Sequence, residues 1–149
     1  MTDVIVVDAS CLIDLRKGRL LTALCSLPYQ LVVPLPVRKS EVLDDQGMLT
    51  YDLTPDEVPQ ALTLKQHHRA LSASDCFCLV TALAHRGILL TGDAPLRRAA
   101  TEKELSVHGV LWIISELVVA KSCPISLLIE ALQAWQSDET VFLPPDEVS

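Results

Sequence analysis

The chain has 149 residues, 50% hydrophobic and 21% charged, with a formal net charge of -7. That length supports one domain with a core of its own and excludes a dependence on disulfides or a structural metal, while the composition excludes a disordered chain. Five cysteines, odd in number and without CxxC or Cys/His spacing, exclude a disulfide framework and structural zinc, and no apolar run reaches the roughly 18 residues of a spanning helix.

In chain order, "DVIVVDAS" is a β-branched run closed by an acid and a serine, which predicts a buried strand leading into a helix from about Cys11. Gly18 is expected to break that helix before "RLLTALCSL", and "QLVVPLP" is a second strand ended by prolines. "VRKSEVLDD" has helical spacing, and "GMLTYDL" is a third strand. From Thr54 the pattern is helical, with "TPDEV" supplying a cap, a first-turn proline and two acids. "SASDCFCLVTALAHRG" is a further helix ended by Gly87 at the position after its cap, "ILLT" is a strand, "APLRRAATEKEL" a helix and "SVHGV" at most a short strand. "LWIISELVVAK" and "PISLLIEALQAWQ" are two last helices, with apolar surface beyond the needs of one small core, so a dimer or a partner groove is expected. No linker or repeat divides the chain; residues 1–149 read as one domain with an acidic tail from about Asp138.

Strands alternating with helices imply a parallel sheet covered on both faces, and in such sheets the ligand site lies outside the carboxyl ends of the strands. Four acids belong to that edge: Asp8 follows "VIVV", Asp93 follows "ILLT", Glu41 lies about two helical turns after "LVV", and Asp75 opens the helix leading into "ILLT". Each has a structural explanation alone. Asp8 or Ser10 caps a helix, Ser72 and Asp75 fit a capping box, Asp93 ahead of Pro95 starts a helix, and Glu41 is a solvated helix residue. Their common location is the argument for a site. Clustered carboxylates repel one another, and a hard cation such as Mg²⁺ or Mn²⁺ offsets that repulsion while supplying the chemistry of phosphodiester hydrolysis.

Taken together, "VIVVDASCLIDL", "VPLPVRKSEVL" and "LSASDCFCLVTALAHRGILLTGDAPLRRAATEKELSVHGVLWII" resemble the PIN-domain ribonucleases of the VapC-type toxin kind, over about Asp3 to Glu116. The resemblance implies a three-layer α/β/α sandwich around a short parallel sheet. It implies an acidic quartet of Asp8, Glu41, Asp75 and Asp93 that is both catalytic and metal-holding, with Ser10 and Thr91 as supporting hydroxyls. It further implies one or two Mg²⁺ or Mn²⁺ ions, cleavage of RNA, and homodimers bound to a small antitoxin; the cytoplasmic location expected of the chain comes instead from its unpaired cysteines and the lack of a signal-like or spanning segment. The chain departs from the family at Leu96 and Arg97, where many members carry a further acid or polar ligand.

The acidic average discourages RNA binding, but Arg38, Lys39, Arg97 and Arg98 flank the proposed acids, and "KQHHR" adds a further basic stretch. His67 and His68 are adjacent and would not chelate one ion from a helix; Cys76 and Cys78 read as packing residues, Trp112 and Trp135 as core or interface. A receiver-type phosphoacceptor would need adjacent acids near the first strand and a late lysine, and a haloacid-dehalogenase-type phosphatase would need D-x-D where the chain has Asp8-Ala9-Ser10. The remaining alternative is a PIN-like RNA-binding or regulatory module with little or no turnover.

Overall fold

The computed structural model describes residues 3–37, 48–121 and 123–137. Five parallel strands form the sheet: β1 (Asp3–Val7), β2 (Tyr29–Pro34), β3 (Leu49–Tyr51), β4 (Ile88–Leu90) and β5 (Val107–His108), in the order β3-β2-β1-β4-β5. The β-branched run of β1 lies at the centre, pairing Ile5 with Leu31 on one side and with Ile88 on the other. Ile5, Val6 and Val7 are all buried, as a central parallel strand covered on both faces requires.

The helices are α1 (Ala9–Lys17), α2 (Leu21–Cys25), α3 (Glu57–His67), α4 (Ala73–His85), α5 (Ala94–Glu102), α6 (Val110–Ala120) and α7 (Ile125–Ser137). α1, α2, α6 and α7 pack together on one face of the sheet and α3, α4 and α5 on the other, which makes the three layers. Trp135 closes the first layer from within the core, its indole N–H donating to the Asp14 carbonyl of α1 at 2.7 Å. Among the described residues no helix is long and apolar enough to cross a membrane.

The observed boundaries follow local chemistry. α1 begins two residues before the expected Cys11, because the Asp8 carboxylate accepts from the Cys11 N–H and so caps a helix that starts at Ala9. β2 ends at Pro34, where a strand hydrogen bond is no longer available. α4 stops at His85, but the left-handed residue of its cap is Arg86 (φ 49°) rather than the expected Gly87. Gly87 serves a different need: a Cβ there would stand 2.7 Å from the Val4 carbonyl oxygen, so a side chain would push β4 away from β1. Residues 35–37 are helical, so Val37 of the helix expected over "VRKSEVLDD" is described, while its remainder with Arg38, Lys39 and Glu41 and the tail from Asp138 lie outside the described residues.

The chain leaves β1 through α1 on one face and leaves the neighbouring β4 through α5 on the other. Connections that part in this way open a crevice at the carboxyl ends of the two strands, the topological switch point where parallel sheets bind ligands.

Candidate active site

β1 and β4 end side by side, with Val7 paired to Leu90 and the Asp8 N–H donating to the Leu90 carbonyl at 3.2 Å. The next residue on each strand is polar and buried, Asp8 at 3% exposure and Thr91 at 0%. The Thr91 hydroxyl donates to Asp8 Oδ2, the Cys11 N–H donates to Oδ1 at 2.8 Å, and the Ser10 hydroxyl lies 3.2 Å from both oxygens. Thr91 Oγ1 in turn accepts from the Asp93 N–H at 3.1 Å. One hydroxyl thus links the carboxylate of β1 to the backbone that carries Asp93.

Burial pushes the Asp8 carboxyl above its ordinary range, against hydrogen bonds from Thr91, Cys11 and Ser10 that pull it down. The net rise means that desolvation outweighs the four-point hold on the ionised form. A cation placed near those oxygens would reverse that balance. Burial also raises the neighbouring Cys78 thiol well above its usual value, with the charges of Asp8 and Asp75 adding to the effect. Both acids therefore act on one buried thiol, Asp8 from the end of β1 and Asp75 from one turn earlier on α4.

The capping explanations all hold. Asp8 caps α1; Ser72 and Asp75 make a reciprocal capping box, the Ser72 N–H donating to Asp75 Oδ2 at 2.9 Å and the Asp75 N–H to Ser72 Oγ at 3.1 Å; and Asp93 caps α5, accepting from the Leu96 N–H at 3.0 Å. Capping and convergence coincide because α1, α4 and α5 all start at the same edge of the sheet. A capping carboxylate uses one oxygen at the helix start, which leaves Oδ1 of Asp75 and of Asp93 without a hydrogen bond among the described residues.

The donors are carboxylate and hydroxyl oxygens, which suit a hard divalent cation in kind. In number the set is incomplete: among the described residues no three acid, histidine or cysteine side chains stand close enough to hold one ion, and Glu41 lies outside those residues. His67 and His85 each turn Nδ1 to a backbone carbonyl one turn back, at 2.9 and 2.8 Å, in keeping with structural roles. Cys76 and Cys78 are buried, as packing residues should be. Trp112 stacks on His108 with centroids 4.3 Å apart, and Trp135 belongs to the core.

Arg97 and Arg98 diverge. Arg98 is exposed, whereas half-buried Arg97 folds back over the end of β4 and donates from Nη1 to the Thr91 carbonyl at 3.3 Å. Gly109, within the "SVHGV" expected to be at most a short strand, stands at the start of α6 and borders this guanidinium; a glycine inside a strand pattern, which marks close approach of a neighbour, is the available signal.

A protein-family model for the PIN domain matches residues 4–148, and no curated protein matches the chain.

Proposed function

The chain belongs to the PIN-domain family, a nuclease-type fold, and from that premise we propose that it is a metal-dependent endoribonuclease with Asp8, Glu41, Asp75 and Asp93 as its acids. The observation that carries this reading is Asp8, a carboxylate buried to 3% exposure at the switch point, with hydroxyls of Ser10 and Thr91 fixing both its oxygens. Beyond its capping role, a carboxylate desolvated at a ligand-binding edge supports a functional use for its charge. Bound by these carboxylates, Mg²⁺ or Mn²⁺ would stabilise charge developing on a phosphoryl oxygen and activate water as the nucleophile.

The protein's own part is orientation. Ser10 and Thr91 hold the Asp8 carboxylate in one rotation, and Thr91 ties it to the backbone of Asp93, so the two acids keep a fixed relation. The N-termini of α1, α4 and α5 direct their positive ends to the same edge, where the carboxylates of Asp8, Asp75 and Asp93 take them up. Arg38, Lys39, Arg97 and Arg98 supply the phosphate contacts that an overall charge of -7 would otherwise deny.

In the same reading the chain is one domain, cytoplasmic, and the toxin half of a toxin–antitoxin pair, working as a homodimer held in check by a small antitoxin. The apolar side chains exposed on α6 and α7, Val118, Val119, Ile125 and Ile129, support a protein partner on that side. A short neighbouring gene for a DNA-binding protein, whose product co-purifies with this chain and silences it, is the expected genetic context.

The deciding experiment titrates Mg²⁺ and Mn²⁺ into the purified protein with a single-stranded RNA, with a chelator as control. Cleavage that requires the metal, and that falls by about a hundredfold or more in Asp93→Asn, is the expected result. RNA bound but uncut at every metal concentration would assign the chain to the binding-module alternative.

A further inference from the structure

Adjacent arginines on one helix are usually read as a single basic patch, but the two on α5 occupy different environments. Arg97 Nη1 rests on the Thr91 carbonyl, and the Thr91 peptide is itself fixed, its N–H donating to the His108 carbonyl at 2.9 Å and its hydroxyl to Asp8. The guanidinium is therefore anchored one residue from the carboxylate edge. Of its five N–H donors only this one meets an acceptor among the described residues.

Gly109 forms the other wall of the seat. A Cβ at that position would lie 3.2 Å from Arg97 Nη1 and 4.0 Å from the Thr91 carbonyl oxygen. Gly109 is the N-cap of α6, and its extended backbone (φ -108°, ψ -172°) is open to any residue, so no backbone strain demands a glycine there. What the missing Cβ leaves is room for a guanidinium held against β4.

We propose that Arg97, seated between Thr91 and Gly109, is the residue that grips the phosphate undergoing cleavage, that Gly109 is its positioning residue, and that Arg98 contributes only to general RNA binding. This rests on the nuclease reading above and names the group within that site that meets the substrate. A planar guanidinium suits the task, since its remaining donors can engage two phosphate oxygens at once, which an ammonium cannot do. Thr91 carries the guanidinium on its carbonyl and the Asp8 carboxylate on its hydroxyl, so a single residue joins the two groups.

The test is steady-state cleavage of a short single-stranded RNA with metal, paired with RNA affinity in chelator, for wild type, Arg97→Ala, Arg97→Lys, Arg98→Ala and Gly109→Ala. Arg97→Ala should lower kcat by about tenfold or more, and Arg97→Lys should recover only part of it, because the fork is lost while the charge is kept. Arg98→Ala should act on KM and flatten the salt dependence of binding by about 0.7, one phosphate contact on a single strand. Gly109→Ala should lower kcat severalfold with Tm and RNA affinity held, a pattern that a merely structural glycine would not produce. Equal kcat losses in Arg97→Ala and Arg98→Ala, or full recovery in Arg97→Lys, would overturn the assignment while leaving the nuclease reading in place. A wild type that binds RNA and never cuts it would overturn both.

Discussion

The starts of α1, α4 and α5 at the carboxyl edge of the sheet carry Asp8, Asp75 and Asp93, and the opposite ends of the same three helices carry Arg16, Lys17, His85, Arg86 and Lys103. Parallel topology and the helix dipole sort charge in this way without reference to function, acids to the positive ends and bases to the negative ends. The gathering of acids is thus weaker support for a site than it looks in the sequence. Depth separates the two edges more sharply. The amino edge holds a cleft of about 420 Å³ lined by Arg86, Gly87, Lys103, Glu104 and Ser106, among others, with its charges directed to solvent. The carboxyl edge instead buries one carboxylate, Asp8, and spends two hydroxyls and an N–H on it. On the proposed reading the site is marked by a buried charge rather than by a hollow.

The comparison breaks most visibly if chemistry is not confined to one edge. Asp8→Asn keeps the shape of the cap and removes the charge, and cleavage should fall by about a hundredfold or more, whereas Lys103→Ala at the opposite edge should stay within about twofold. Equal losses measured on the same RNA would mean that the amino edge shares in the reaction.

Stability should show the reverse preference. Gly87→Ala places a Cβ against the Val4 carbonyl oxygen in the β1–β4 pairing and should cost about 1–3 kcal/mol by urea denaturation, with the activity of the folded fraction kept. A neutral result would show that β4 has slack at its entry.

A smaller effect tests the burial of Asp8 itself. Its folded-state carboxyl lies above the ordinary 3.8, so its favourable contribution is fully present below 3.8 and is lost as pH rises through the raised value. Asp8→Asn mimics the protonated acid at every pH. In chelator the variant should melt above wild type at neutral pH, with the gap closing as pH falls toward 3.8. A gap that stays constant with pH would show that the carboxylate carries no burial penalty.

The smallest change is expected from the tail. Neutralising Asp138, Glu139, Asp146 and Glu147 should strengthen non-specific RNA binding by a few-fold at about 0.01 M salt, where the Debye length is roughly 30 Å, and hardly at all near 0.15 M. Anisotropy titrations at the two salt concentrations would decide it.

How much of this was legible in the sequence depends on the range of the interaction involved. The β-branched run of β1, the Ser72–Asp75 capping box and the Asp93–Pro95 helix start are contacts within four residues, so composition and spacing determined them, along with the alternation that implies a parallel sheet. Spacing also placed Asp8, Asp75 and Asp93 at one edge, because strand direction fixes where the helix after β1 or β4 begins and from which edge the helix before β4 must come. Which of those acids is buried, that the left-handed cap falls on Arg86 with Gly87 freed to pass Val4, and that Arg97 turns inward beside Gly109 while Arg98 faces solvent, were decided only by the tertiary structure. Each depends on side chains or backbone atoms packed by the tertiary fold, Thr91 meeting Asp8 over 83 positions of chain, and no local pattern encodes a contact of that range.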